Sequence, residues 1–302
     1  MSLRVNVNPE AKPPLGSSKS LGELALAALA EHRRIISSGS GSILKNAPES
    51  AVTLVELPGY SPLCVKEFRW RGWAHASKGF FRSTQGLRAF RNGGILINSG
   101  FGAAFPLALI RERRMGLVRA EWIIMEYLPR ARELDRYILT RISEKWTLEE
   151  QRGLVRIFGR FMARLHYSGV FHSDLKTCNI MVADSAASQD ISAESLSNGN
   201  EATATGRHGI RFFLLDYDDV RFCRGISWKQ RTKNLTQIFL STPLAIGAAQ
   251  RLRFLSEYSF HSGISLKGRR NLAERVMETA GDRDILYVGF NGDIRENWRR
   301  KK

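Results

Sequence analysis

The apolar positions change period several times along this chain. Leu21–Arg34 repeats at helical spacing and predicts a short helix. Two apolar pairs, Ile35-Ile36 and Ile43-Leu44, then flank a flexible turn holding Gly39 and Gly41. Val52–Leu57 and Leu63–Phe68 read as strands separated by the turn signal Pro58-Gly59, the start of a small antiparallel sheet. Residues 84–99 predict a helix, which Gly93-Gly94 weakens by about 1 kcal/mol per glycine. Trp122–Met125 predicts a buried strand that Glu126-Tyr127-Leu128-Pro129 ends, and a boundary between two lobes falls there.

Beyond it, Leu148–Ser168 carries the clearest helical signal. Leu154, Ile157, Phe158, Phe161, Met162 and Leu165 lie on one face. Thr147 and Glu150 form a capping-box pattern at its start, and Gly169 supplies the stop. Such a stripe is core, and its task is to hold the loop that follows. Residues 184–209 are rich in Ser, Ala, Asn and Thr and predict a disordered insertion. Without it, Ile180–Val182 and Phe212–Leu215 form a hairpin. Residues 1–20, with Pro9, Pro13, Pro14 and a Ser/Gly cluster, predict a mobile arm. The expected organisation is an arm and short helix over 1–34, one lobe over 35–126 and a second over 127–302.

Composition narrows the function classes. The chain is 43% hydrophobic and 25% charged, the balance of an ordinary globular protein. No apolar run approaches the roughly 20 residues of a membrane-spanning helix and no signal peptide is evident, so a cytoplasmic location is expected. Cys64, Cys178 and Cys223 show no metal-ligand spacing and are expected to be inert. Charge alters the picture more. The net charge is +17, and in Lys66–Arg119 eleven Lys/Arg face only Glu67 and Glu112. A second run, Arg221, Arg224, Lys229, Arg231 and Lys233, contains no acid. These runs imply a polyanionic partner. They lack a nucleic-acid recognition module, so an anionic membrane or a phosphorylated substrate is the expectation and nucleic acid is not.

The chemistry lies in Phe171–Val182, FHSDLKTCNIMV. Asp174, Lys176 and Asn179 follow the H-x-D-x-K-x-x-N order of a kinase catalytic loop, and Leu214-Leu215-Asp216 adds a carboxylate at a strand end. Phosphoryl transfer from ATP is mainly positioning and charge neutralisation. Asp174 is placed to orient and deprotonate the attacking hydroxyl, and Lys176 to offset charge on the γ-phosphate. Asn179 and Asp216 supply oxygens to Mg²⁺. His172 is read as a brace for the loop, and Asp218 and Asp219 as solvated charges or caps. Lys66, among alternating apolar residues on a strand, points to the α- and β-phosphates. Gly39 and Gly41 suggest a loop lying close over phosphates. The helix at 84–99 offers no Glu to pair with Lys66, and Glu67 must face the other side of the strand.

From Val52 to Tyr258 these residues resemble the lipopolysaccharide core kinases that phosphorylate Kdo or heptose. The resemblance rests on Val65-Lys66-x-Phe68, Arg88-x-Phe90-Arg91-Asn92 before a Pro106-containing turn, and Met125-Glu126-Tyr127-Leu128. It continues through HSDLKTCNI with Ser173 in place of the family's glycine, LLDYDDVRF, Arg231-x-Lys233-Asn234-Leu235 and Arg251-Leu252-Arg253-Phe254-Leu255. It implies a bilobal α+β protein-kinase-like fold with a small antiparallel-sheet N-lobe and a mainly helical C-lobe. ATP with Mg²⁺ would be the cofactors, Glu126 and Leu128 further nucleotide contacts, and a sugar hydroxyl of the lipid A–core precursor the acceptor. Basic runs at an anionic membrane surface fit such a substrate, at about 1 kcal/mol per Lys/Arg. The alternatives are a protein or other small-molecule kinase of the same fold, and a pseudokinase that binds an anionic partner.

Overall fold

A computed structural model describes residues 2–11, 20–69, 83–115, 117–184, 209–281, 286–288 and 294–296. The chain divides into two compact units, Met1–Ser99 with Ala103–Leu128, and Gly100–Gly102 with Pro129–Lys302.

The first unit is built on a six-stranded antiparallel sheet. Its strands are β1 (Ser2–Val7), β2 (Ile43–Ala47), β3 (Ser50–Val55) and β4 (Leu63–Phe68), then, after the short β5 (Gly102–Ala103), β6 (Pro106–Arg114) and β7 (Leu117–Glu126). Their order across the sheet is β1-β6-β7-β4-β3-β2. Helix α1 (Leu21–Ser38) covers one face. Leu24, Ala25, Ala28, Leu29 and Ile35 from the helix bury against Val55, Leu63, Val65, Ala108, Ile110, Trp122 and Ile124. Helix α2 (Gln85–Asn98) packs on β6 and β7.

Three expectations change here. Ser2–Val7 is no mobile arm. S-L-R-V-N-V alternates with the two-residue period of a strand and pairs antiparallel with β6, from Ser2 opposite Arg113 to Val7 opposite Ala108. The prolines that suggested an arm begin only at Pro9. Helix α1 runs through the pair Ile35-Ile36 to Ser38, because the first left-handed residue is Gly39 (φ 64°), whose N–H returns to the Ile35 carbonyl. Pro106 opens the nine-residue strand β6 and does not sit in a turn; as a strand's first residue it costs no interior ladder bond.

The second unit contains β8 (Arg132–Glu133), α3 (Leu134–Ser143), α4 (Leu148–Tyr167), β9 (Val170–His172), β10 (Ile180–Ala183), β11 (Arg211–Leu214) and β12 (Val220–Phe222). Helices α5 (Trp228–Ser241), α6 (Ala248–His261) and α7 (Leu266–Gly281) follow. The capping box of α4 is formed, with Thr147 accepting from the Glu150 amide and Glu150 from the Thr147 amide. Phe158 and Phe161 on its apolar stripe meet Phe212 of β11. The expected hairpin forms, with Ile180 opposite Leu214 and Val182 opposite Phe212. Most of the 184–209 insertion lies outside the described residues. Among the described residues no helix is long and apolar enough to cross a membrane.

Candidate active site

In the second unit, α4 delivers the chain to β9 through Gly169. Its φ is 73°, and a Cβ there would stand 1.9 Å from the Cys223 carbonyl oxygen, so only glycine fits. β9 pairs with β12, setting His172 opposite Val220. The loop Ser173–Asn179 leaves that strand, and a short 3-10 turn at Thr177–Asn179 returns it to β10.

His172 is fully buried and ties the start of the loop to Leu215. Its Nδ1 accepts from the Asp174 amide at 3.1 Å, so Nε2 carries the proton and donates to the Leu215 carbonyl at 2.9 Å. Burial pushes the imidazole pKa down, against the Leu215 bond and the carboxylates of Asp216, Asp174 and Asp219, and keeps the ring neutral. One residue beyond Leu215, Asp216 adopts left-handed backbone (φ 49°, ψ 39°), a conformation that Asp tolerates better than most residues.

Asp174 stands among the loop's polar groups. Its carboxylate meets the Lys176 ammonium at 3.0 Å. Asn179 donates to the Asp174 carbonyl at 2.7 Å, with its amide 3.4 Å from the carboxylate. The Asp174 side chain remains 42% exposed, which leaves it open to an incoming hydroxyl.

One face of α5 braces this loop from behind. Asn234 donates to the His172 carbonyl at 2.6 Å and Gln237 to the Ser173 carbonyl at 2.9 Å, while Gln237 accepts from the Leu175 amide. The Ser241 hydroxyl accepts from the Thr177 amide, and Thr177 donates to the Ser241 carbonyl. Behind Asn234 runs a directed chain. Arg231 donates to the Tyr258 oxygen at 2.7 Å, Tyr258 to His166 Nδ1 at 2.8 Å, and His166 Nε2 to the Asn234 amide oxygen at 3.2 Å. The sequence reading missed Gln237, Ser241 and His166 as supports. Positions 234, 237 and 241 share one helical face, a signal visible once a helix is placed from Ser227.

In the first unit, Lys66 lies on β4 opposite Val52 and Ile123, with its ammonium 4.8 Å from the Phe68 ring centroid. Glu67 faces the other side, where it meets Arg69 at 3.0 Å and His32 of α1 at 3.7 Å. The sequence reading also missed Glu121. By strand register it shares the Lys66 face, opposite Phe68 on β4 and Arg111 on β6. Its buried carboxylate accepts from the Thr84 hydroxyl at 2.6 Å and the Gly86 amide at 2.9 Å, fixing the start of α2 to the sheet. Gly86 is small for this reason, since a Cβ would come within 2.9 Å of the Glu121 side chain.

The remaining candidates are placed as follows. Glu126 ends β7, with its amide donating to the Phe105 carbonyl and its carboxyl pushed up to about 7 by burial. Leu128 is buried just beyond it. Gly39 caps α1, and Gly41 (φ 114°) packs against Ile35 in the α1–β2 connection; the β2–β3 hairpin turns instead at Ala47–Ser50. Burial raises the thiols of Cys64 and Cys178 to about 12 and about 11, which keeps both in the unreactive protonated form.

The sequence model of the lipopolysaccharide kinase (Kdo/WaaP) family matches residues 66–258, well over half of the chain. The chain belongs to this family. It is therefore a kinase by class. Among solved structures, "WaaP in complex with acyl carrier protein" superposes with a TM-score of 0.56 at 18% identity, covering 92% of this chain and 98% of that one. The kinase domain of Mycobacterium tuberculosis PknI gives a TM-score of 0.41 at 16% identity over 80% of this chain and 94% of that one. The first of these likenesses carries the fold assignment, an α+β protein-kinase-like architecture. A search of curated proteins gives no match.

For a Lipopolysaccharide kinase (Kdo/WaaP) member, the donor set of the second unit suits a magnesium–phosphate group. Among the described residues no three His, Cys, Asp or Glu side chains gather as an all-protein metal cage. Mg²⁺ does not require one, because it is held by one or two carboxylates together with phosphate oxygens and water. Asn179 spends its NH₂ on Asp174, which leaves its oxygen for a cation. Negative charge accumulates alongside. Burial, then the Asp135 carboxylate, and also Asp216 against the pull of Arg136, raise the Glu133 pKa. A divalent cation there would relieve that crowding.

Proposed function

We propose that this kinase transfers the γ-phosphoryl group of ATP to a sugar hydroxyl, of Kdo or heptose, in the lipopolysaccharide inner core. The observation that supports it most is the loop geometry: an accessible Asp174 with Lys176 at 3.0 Å, Asn179 on its carbonyl and His172 locking the backbone between Asp174 and Leu215. In this reading Asp174 accepts the proton of the attacking sugar hydroxyl as the sugar oxygen bonds to the γ-phosphorus and the bond from that phosphorus to the β-phosphate oxygen breaks, releasing ADP. Lys176 holds charge on the transferred group and keeps the carboxylate oriented. Asn179 and Asp216 would hold magnesium, which would supply charge neutralisation on the phosphates. Lys66 takes the α- and β-phosphates, and Glu126 and Leu128 contact the base. Gly39, which caps α1, and Gly41, which packs on Ile35, stay candidates for backbone lying close to the phosphates.

The acceptor is the lipid A–core precursor at the inner face of the membrane. The cationic excess of the Lys66–Arg119 and Arg221–Lys233 segments supports peripheral binding to that anionic surface. Transfer of labelled γ-phosphate to core-deficient lipopolysaccharide tests the reading. Label that depends on added Mg²⁺ and is lost in Asp174→Ala supports it. Nucleotide binding without transfer moves the search to another acceptor, and absence of both indicates a pseudokinase.

A further inference from the structure

Four arginines gather on the α2 face of the first unit's sheet, the face that also carries Lys66 and Glu121. Arg4 on the edge strand β1 lies directly opposite Arg111 on β6. Arg113, two residues along β6, projects to the same side as Arg111. Arg91 approaches from α2, and it acts with Arg113 and Arg4 on the Arg111 charge. Like charges directly opposed across an antiparallel pair are destabilising, so this grouping works against folding by itself.

The local carboxylates do not resolve it. Glu112 faces the other side of the sheet, where it pairs with Arg33 at 3.2 Å. Glu121 attracts Arg111, but it also accepts from Thr84 and Gly86 and offers one negative charge against four positive ones. The Nε atoms of both Arg111 and Arg113 are buried and make no hydrogen bond. Buried N–H donors without acceptors are costly.

We propose that Arg4, Arg91, Arg111 and Arg113 form a binding site for a phosphate group, which bridges the two strands and accepts the unspent donors of Arg111 and Arg113. Guanidinium forks match phosphate oxygens in charge and in planar two-point geometry. The phosphate is either a soluble anion or the headgroup of a phosphorylated lipid. The site stands apart from the catalytic reading, because nothing in it requires that phosphoryl transfer occur.

The test uses the full chain without nucleotide, compared with Arg4→Gln and with the double variant Arg111→Gln/Arg113→Gln. Thermal unfolding is followed in 10 mM inorganic phosphate and in sodium chloride of equal ionic strength. Co-sedimentation is measured with phosphatidylcholine vesicles with and without phosphatidic acid. Removing crowded charge should leave Arg4→Gln at least as stable as wild type in chloride, so lost response is not lost folding. For a soluble ligand, phosphate raises the wild-type Tm by about 3 °C and the variants by under 1 °C, a shift of ordinary size for a bound ligand. For a lipid ligand, phosphate does little, and phosphatidic acid increases wild-type sedimentation at least fivefold over both variants. Equal responses in wild type and variants, to either probe, would show a general effect of net charge and overturn the site. Absence of any response to both would overturn it as well.

Discussion

Lowering the pH should loosen the support behind the catalytic loop through His166. This ring is 1% exposed and lies between Tyr258, which donates to its Nδ1, and Asn234, which accepts from its Nε2. A proton on Nδ1 would face the Tyr258 hydroxyl, whose oxygen already accepts from Arg231, and would put a second positive charge beside that arginine. Burial first, then Arg231, lowers the pKa from 6.5 to about 4, against the Asn234 bond. The sign follows from proton counting. Between about 4 and 6.5 the unfolded chain binds the proton and the folded chain does not, so stability is complete above 6.5 and falls as pH falls toward 4. At 1.36 kcal/mol per pKa unit, this one group removes roughly 1 kcal/mol by pH 5.5 and roughly 3 kcal/mol by pH 4. Urea unfolding at pH 7.5, 6.5, 5.5 and 4.5, in wild type and His166→Gln, reads the effect. The variant should be less stable at pH 7.5, and the gap should close by roughly 2–3 kcal/mol at pH 4.5. A gap that stays constant with pH would refute the reasoning.

Other perturbations follow from the same contacts. Asn234→Ala removes the donor to the His172 carbonyl and the acceptor for His166; it should destabilise the protein by about 2–4 kcal/mol and lower kcat more than it raises the KM for nucleotide, as denaturation and steady-state kinetics would show. Gly169→Ala should cost at least about 3 kcal/mol in urea unfolding or abolish soluble expression, because both φ and the Cys223 carbonyl oppose a Cβ. Glu121→Ala leaves the Thr84 hydroxyl and Gly86 amide without their acceptor; hydrogen exchange in α2 should speed up at least tenfold, while exchange in α4 stays unchanged.

The parts of the fold written in local pattern were legible in the sequence. The α4 stripe with its capping box, the β10–β11 hairpin and the polar spacing of the loop depend on near neighbours, and the structure has them within a residue or two. What depends on distant partners was not legible. The alternation in Ser2–Val7 covers only six residues, and it becomes a strand because β6 offers an edge. β6 itself mixes five buried residues with the charged run Arg111–Arg114, so half of it reads as surface. Glu121 in Ala120-Glu121-Trp122 gives no sign of being buried until α2 places two donors on it. The α5 supports were hidden for the same reason, since Gln237 and Ser241 gain their meaning from loop residues 62 and 64 positions upstream in the chain.

The most direct test of the catalytic account is transfer of radiolabelled γ-phosphate from ATP to core-deficient lipopolysaccharide by wild type and Asp174→Asn, measured with nucleotide binding in parallel. The account predicts Mg²⁺-dependent label in the glycolipid that falls by at least 10³-fold in the variant, while nucleotide affinity stays within about threefold, because Asp174 acts on the acceptor hydroxyl. Comparable transfer by the variant, with nucleotide binding intact, would contradict the assignment of Asp174 as the base.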